Sequence, residues 1–157
     1  MLIALPGQAK ATFDNGGSPA YSDTYERGMP QNQRCVLLVE DDRSVRRYLE
    51  VTLQRAGYKV ITAEDGIEGI KCALSAKVDV VLTDAVMPQM NGRELARFLR
   101  NNPNLAKLPI VLLTGQENDQ VSKSDKSLID AFLYKPVKAE ELKKCLAKLV
   151  APQPPNN

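Results

Sequence analysis

Three acids in a row, Glu40, Asp41 and Asp42, close the apolar run "CVLLV". A fourth, Asp84, closes "DVVLT" and opens a Met-Pro turn; Thr114 closes "PIVLL", and Lys135 follows "AFLY" with Pro136 directly behind it. A carboxylate at the mouth of an apolar strand is costly to bury unless something pairs with it. Crowded carboxylates raise one another's pKa until a cation sits among them. Oxygen ligands without His or Cys suit a hard divalent ion, Mg2+ before Ca2+. Such an ion would also cancel the charge of an incoming phosphoryl group. Beside it a carboxylate is a competent nucleophile, a lysine ammonium can hold one phosphoryl oxygen, and a threonine hydroxyl can donate to another. These are the parts of an aspartate phosphorylation site, with Asp84 as the acceptor. A lone strand-end acid is more often a cap. Acids, a hydroxyl and a lysine on several strand ends point instead to a functional cluster.

Composition narrows the alternatives. The 157 residues suit one domain with a full hydrophobic core. Apolar residues at 43% and charged residues at 25% are ordinary for a soluble globular chain. A net charge of +2 is too small to make nucleic acid or a membrane surface the main partner. No apolar run approaches the roughly 18 residues of a membrane span. The opening "MLIALPGQAK" has no basic start before its apolar patch, unlike a secretory signal, so a cytoplasmic location is expected. Cys35, Cys72 and Cys145 are far apart and odd in number, and read as reduced, buried thiols. The chain has no histidine, which excludes Ser-His and Cys-His couples and a phosphorylated histidine.

The elements that must position these groups alternate regularly. Apolar strands are expected at 35–40, 58–63, 78–83, 109–114 and 131–134. Helices are expected at 44–56 (Val45, Leu49, Leu53 and Ala56 inward, Gly57 as the stop), 66–76 (Ile67, Ile70, Ala73, Leu74) and 91–101 (Leu95, Phe98, Leu99). A weak polar helix at 117–129 and a helix at 138–149 (Leu142, Cys145, Leu146, Leu149) complete the set. Near-continuous apolar strands imply a parallel sheet covered on both faces. Right-handed crossovers then favour a flavodoxin-like doubly wound α/β fold with strand order 2-1-3-4-5. A Rossmann-type order needs more strands and a GxGxxG after the first. In the favoured order the functional crevice lies at the carboxyl ends of the strands, where all the residues above converge. Asp42 fits the N-cap of the first helix, Met87 and Met90 pack the turn, and Gly92 permits a close approach. Residues 1–33, rich in Gly, Pro, Ser, Asn and Asp, read as a linker or flexible arm, and 151–157 as a polar tail.

"LLVEDD", "LTDAVMPQMNG", "IVLLTG" and "FLYKP", in this order and spacing, resemble the receiver domain of two-component response regulators across residues 34–150. The resemblance implies that Asp84 is the phospho-acceptor and that Glu40 and Asp41 hold Mg2+, with a backbone carbonyl from Val86. It makes Thr114 the switch hydroxyl, Lys135 the phosphate-gripping lysine and Phe132 the switch aromatic, with a cis peptide before Pro136. A histidine kinase or histidine phosphotransfer protein is the implied donor, a protein reads the output, and neither nucleic acid nor membrane is contacted directly. Gly115, Leu128 and Val137 depart from the usual family residues, and the departures bear on the fourth helix. The rival reading, an aspartyl-nucleophile phosphatase of the haloacid dehalogenase style, needs an acid two residues after the nucleophile, where Val86 stands. No effector domain is expected after residue 150. "LIALP" resembles the last strand of a histidine kinase ATP-binding domain, which leaves a stand-alone receiver and one from a hybrid kinase both open.

Overall fold

Apolar strands flanked by amphipathic helices can bury both faces only as a layered stack. The computed structural model describes residues 12–13, 19–20, 33–115 and 123–152. Five strands form one parallel sheet: β1 (Cys35–Val39), β2 (Lys59–Ala63), β3 (Val80–Asp84), β4 (Ile110–Thr114) and β5 (Ala131–Tyr134), in the order β2-β1-β3-β4-β5. Among the described residues, five helices alternate with them: α1 (Arg43–Arg55), α2 (Gly66–Ser75), α3 (Gly92–Asn101), α4 (Lys123–Leu128) and α5 (Ala139–Leu149). This is the flavodoxin-like order read from the strand pattern. All residues of β1, β3 and β4 are buried, while the edge strands β2 and β5 are partly open. Side chains alternate across the sheet. Leu37, Val39, Val81 and Leu112 meet Ala73, Leu95 and Leu99 on one face. Val36, Leu38, Leu82 and Leu113 meet Leu49, Leu53, Leu142 and Leu146 on the other.

Local chemistry explains the element ends. Asp42, Asp65 and Asn91 each accept from the backbone N–H three residues on and so cap α1, α2 and α3. Gly57, at φ 97°, ends α1. Its N–H donates to the Gln54 carbonyl and that of Tyr58 to the Leu53 carbonyl, a Schellman motif whose Tyr58 and Leu53 share one core. β3 starts later than the apolar run does, because the Asp79 carboxylate is used elsewhere. It accepts from the Cys35 N–H at 2.8 Å and pairs with Arg34 at 3.6 Å. Asp84 is the last residue of β3, one beyond the expected end. The structure places α4 at Lys123–Leu128; the expected helical residues 117–122 lie outside the described residues.

Three residues expected to point inward do not. Ile67, Leu74 and Phe98 are 45%, 56% and 39% exposed. Small residues line the core side of α2 instead: Gly66, Gly69 and Ala73 are buried. A Cβ at Gly69 would stand 3.0 Å from Val39 Cγ2, so α2 lies too close to the sheet for a large side chain there. That seating turns Ile67 and Leu74 outward. In α3 the stripe Gly92, Leu95, Ala96 and Leu99 already fills the interface, which leaves Phe98 on the flank. Of the three thiols only Cys35 is fully buried; Cys72 and Cys145 are half-buried, and all three are free. In the stretch read as an arm, Thr12–Phe13 pairs antiparallel with Pro19–Ala20 in a separate unit. The remaining expectations for 1–32 and 153–157 fall outside the described residues.

Gly92 is where α3 meets the end of β3. Its N–H donates to the Ala85 carbonyl, and an added Cβ would run into the Asp84 carbonyl and lie 2.7 Å from Leu112 Cδ1. At Gly115 an added Cβ meets nothing within 4 Å. Gly92→Ala should therefore cost about 3 kcal/mol in urea unfolding. Gly115→Ala should stay within about 0.5 kcal/mol of wild type. Equal losses at the two positions would refute this account of the α3 start.

Candidate functional site

The sheet ladder continues one residue past β1, β3 and β5. Glu40 N–H donates to the Ala63 carbonyl, Ala85 N–H to Leu113, and Lys135 N–H to Thr114, at 3.1, 2.8 and 2.8 Å. Glu40, Asp84, Thr114 and Lys135 are thereby fixed along one edge of the sheet. Glu40 is fully buried, Asp84 and Thr114 nearly so, and Asp41 is exposed. Carboxylate oxygens of Glu40, Asp41 and Asp84 lie within 4.8 Å of one another. The Lys135 ammonium sits 3.0 Å from Asp84 Oδ2 and 3.1 Å from Glu40 Oε2. Asp42 N–H donates to Glu40 Oε1 at 3.1 Å, and Val86 N–H to Asp84 Oδ1 at 3.3 Å. The Lys135–Pro136 peptide is cis.

Electrostatics follow from this crowding. Burial, and then the charge on Asp84, pushes the Glu40 carboxyl up to about 7. Burial alone would lower the pKa of Lys135, but its hydrogen bond to Asp84 and the charge of Glu40 outweigh it and hold the ammonium above its ordinary value. One lysine thus serves two acids, and the cluster stays short of positive charge. Oxygen donors in that state can hold a hard divalent cation.

The remaining candidates stand around this core. Val86, two residues beyond Asp84, is 78% exposed. Phe132 lies in β5, partly buried and packed on the same sheet face as Leu112, its register partner. Gln116 lies outside the described residues. Asp42 points away from the cluster and caps α1, accepting from the Val45 N–H at 2.9 Å. Sequence reasoning missed Arg46, whose guanidinium donates to the Glu40 carbonyl at 2.8 Å. Its signal was its place one turn into the helix that the acid triplet opens.

Removing Lys135 leaves Glu40 buried beside a like charge. Lys135→Met should cost roughly 2 kcal/mol in urea unfolding with EDTA present, less than for a fully enclosed pair. Adding Glu40→Gln should recover most of that loss. Additive losses in the double variant would mean that the two side chains are not coupled.

The comparisons agree with this geometry. Residues 36–147 match the model of the response regulator receiver domain. The chain is 34% identical over 112 residues to hybrid signal transduction histidine kinase D of Dictyostelium discoideum, covering 71% of this chain and 7% of that protein. It is 32% identical over 124 residues to the response regulator ArlR of Staphylococcus saprophyticus, covering 78% of this chain and 54% of that one. The chain thus spans about half or less of the length of these curated relatives. Among solved structures, the chemotaxis protein CheY4 of Vibrio cholerae matches with a TM-score of 0.72 and 34% identity, over 76% of this chain and 100% of that one. A sensor histidine kinase receiver domain from Pseudomonas aeruginosa, solved with a magnesium ion coordinated in its active site cleft, matches at 0.69 and 28%, over 75% and 98%. No helix among the described residues is long and apolar enough to cross a membrane. With five parallel strands in the matching order, an acid cluster at their carboxyl edge and a family match over most of its length, this chain belongs to the response regulator receiver domains.

Proposed function

We propose that Asp84 of this domain accepts a phosphoryl group from the phosphohistidine of a histidine kinase or a histidine phosphotransfer protein, and that the modification resets a protein-binding surface. The observation that carries this reading is the Lys135 ammonium shared by Asp84 and buried Glu40 at an edge that gathers three carboxylates. In the transfer one Asp84 oxygen bonds to phosphorus, the P–N bond to the donor imidazole breaks, and the departing nitrogen keeps the electron pair. Glu40, Asp41, Asp84 and the Val86 carbonyl are the groups that would hold Mg2+. When bound, the ion supplies charge neutralisation for the phosphoryl oxygens. Oxygens within 4.8 Å of one another suit metal–oxygen bonds of about 2.1 Å. The magnesium in the Pseudomonas receiver supports the same assignment.

Lys135 then turns from the two acids to a phosphoryl oxygen, and Thr114 donates its hydroxyl to another. Thr114 and Phe132 face the same side of the sheet, so an inward move of Thr114 opens space toward Phe132. The affected surface is α4 and the end of β5, a local charge change biasing a two-state element. A cytoplasmic setting and a protein reader complete the proposal.

Two outcomes test it. Acetyl phosphate with Mg2+ should add one phosphoryl mass to the wild type and none to Asp84→Asn, by intact-mass spectrometry. An undiminished adduct on Asp84→Asn would remove Asp84 from its role.

The lifetime of the adduct depends on aligning a water opposite the leaving carboxylate. The exposed Val86 side chain offers no hydrogen-bonding group to align a water at Asp84, while the space at Gly115 admits solvent. Water is abundant and an ordered attack geometry is scarce, so positioning governs. Val86→Asn should speed decay of the phosphorylated protein by roughly threefold or more. Equal or slower decay would mean that access sets the rate.

A further inference from the structure

Arg46 touches all three carbonyls of the acid triplet. Its Nη1 donates to the Glu40 carbonyl at 2.8 Å and reaches the Asp41 carbonyl at 3.4 Å. Its backbone N–H donates to the Asp42 carbonyl at 2.9 Å. The side chain is only 14% exposed, so the fork is held against the turn rather than free in solvent. A surface ion pair is the plainer explanation, since Nη2 also lies 3.4 Å from Glu64 Oε1. That contact is long and Glu64 is 72% exposed, which makes it weak. The short bond is the one to Glu40 main chain.

From these contacts we infer that Arg46 is a positioning residue for the cation site, aiming the carboxylates of Glu40 and Asp41 by fixing the peptide planes that carry them. This rests on the reading of Glu40, Asp41 and Asp84 as Mg2+ ligands. Glu40 has other holds on its carboxylate, from Asp42 N–H and Lys135. The Glu40 carbonyl belongs to the peptide that leads into Asp41, so the 2.8 Å bond from Arg46 fixes the plane from which the Asp41 side chain departs. Outer groups of this kind orient ligands without touching the metal.

Charge and positioning predict opposite signs. A guanidinium near the cluster repels a second cation, so if charge were its whole effect, removing it would tighten Mg2+ binding. If Arg46 positions Asp41 and Glu40, removing it weakens binding. The ion's own attraction can still draw the loosened turn together, so excess Mg2+ should restore full phosphorylation.

The experiment is calorimetric titration of MgCl2 into wild type and Arg46→Ala, well below each protein's unfolding temperature in EDTA. Wild type should bind one ion and Arg46→Ala about tenfold more weakly. At saturating Mg2+ the acetyl phosphate adduct on Arg46→Ala should reach the wild-type level. Unchanged or tighter binding by Arg46→Ala, or an adduct that stays low in excess Mg2+, overturns the inference. If Arg46→Ala does not fold, Arg46→Met decides, because it keeps the apolar stem and removes every donor together with the charge: weaker binding supports positioning, and unchanged or tighter binding overturns it. Failure of wild type itself to take up Mg2+ would instead sink the underlying reading of the site.

Discussion

The ammonium of Lys135, 3.0 Å from Asp84 and 3.1 Å from Glu40, is the contact around which the strand edge is organised. A fully buried carboxylate next to a second one is tolerated only with a cation at hand. The lysine supplies it from a strand two places away from β3 in the sheet, across β4. Its main chain is in turn bonded to the Thr114 carbonyl, so the reach of the side chain depends on the register of β4 and β5. A slip of one residue would turn the lysine to the other face. The hydrophobic register of the sheet and the electrostatics of the site are therefore one constraint: what packs the strands also delivers the charge.

Arginines do for the main chain what Lys135 does for the carboxylates. Arg46 secures the carbonyls of the acid turn. On α3, Arg100 donates to the carbonyls of Leu128, Ala106 and Leu108 and pairs with Asp130, and Arg93 pairs with buried Asp125 of α4. That ion pair ties the described part of α4 to α3, whose first residue, Gly92, lies against the Asp84 carbonyl. Asp84 and α4 are thus joined through α3.

The relatives it matches differ widely in build, the matched region being 7% of a hybrid kinase and 54% of a response regulator. That fits a site whose parts are all internal to one sheet. The surface of the domain, by contrast, carries Ile67, Leu74 and Phe98 outward.

Period and composition alone determined the five apolar strands, their parallel pairing and the order of the sheet, because a strand buried on both faces is apolar throughout and acids mark where it ends. They also showed Gly57 as the α1 stop and Asp42 as its cap, both products of local backbone geometry. The site residues were visible as types at strand ends, and the topology then implied their convergence. What the tertiary structure alone decided was how closely each helix sits and which donor each acceptor finds. Ile67, Leu74 and Phe98 satisfy a helical period, yet glycines at 69 and 92 let α2 and α3 approach the sheet until small residues own much of the interface. Arg46 was invisible for a similar reason. Its partners are carbonyls, which every residue carries and no sequence distinguishes, so only the folded turn reveals which ones need a donor.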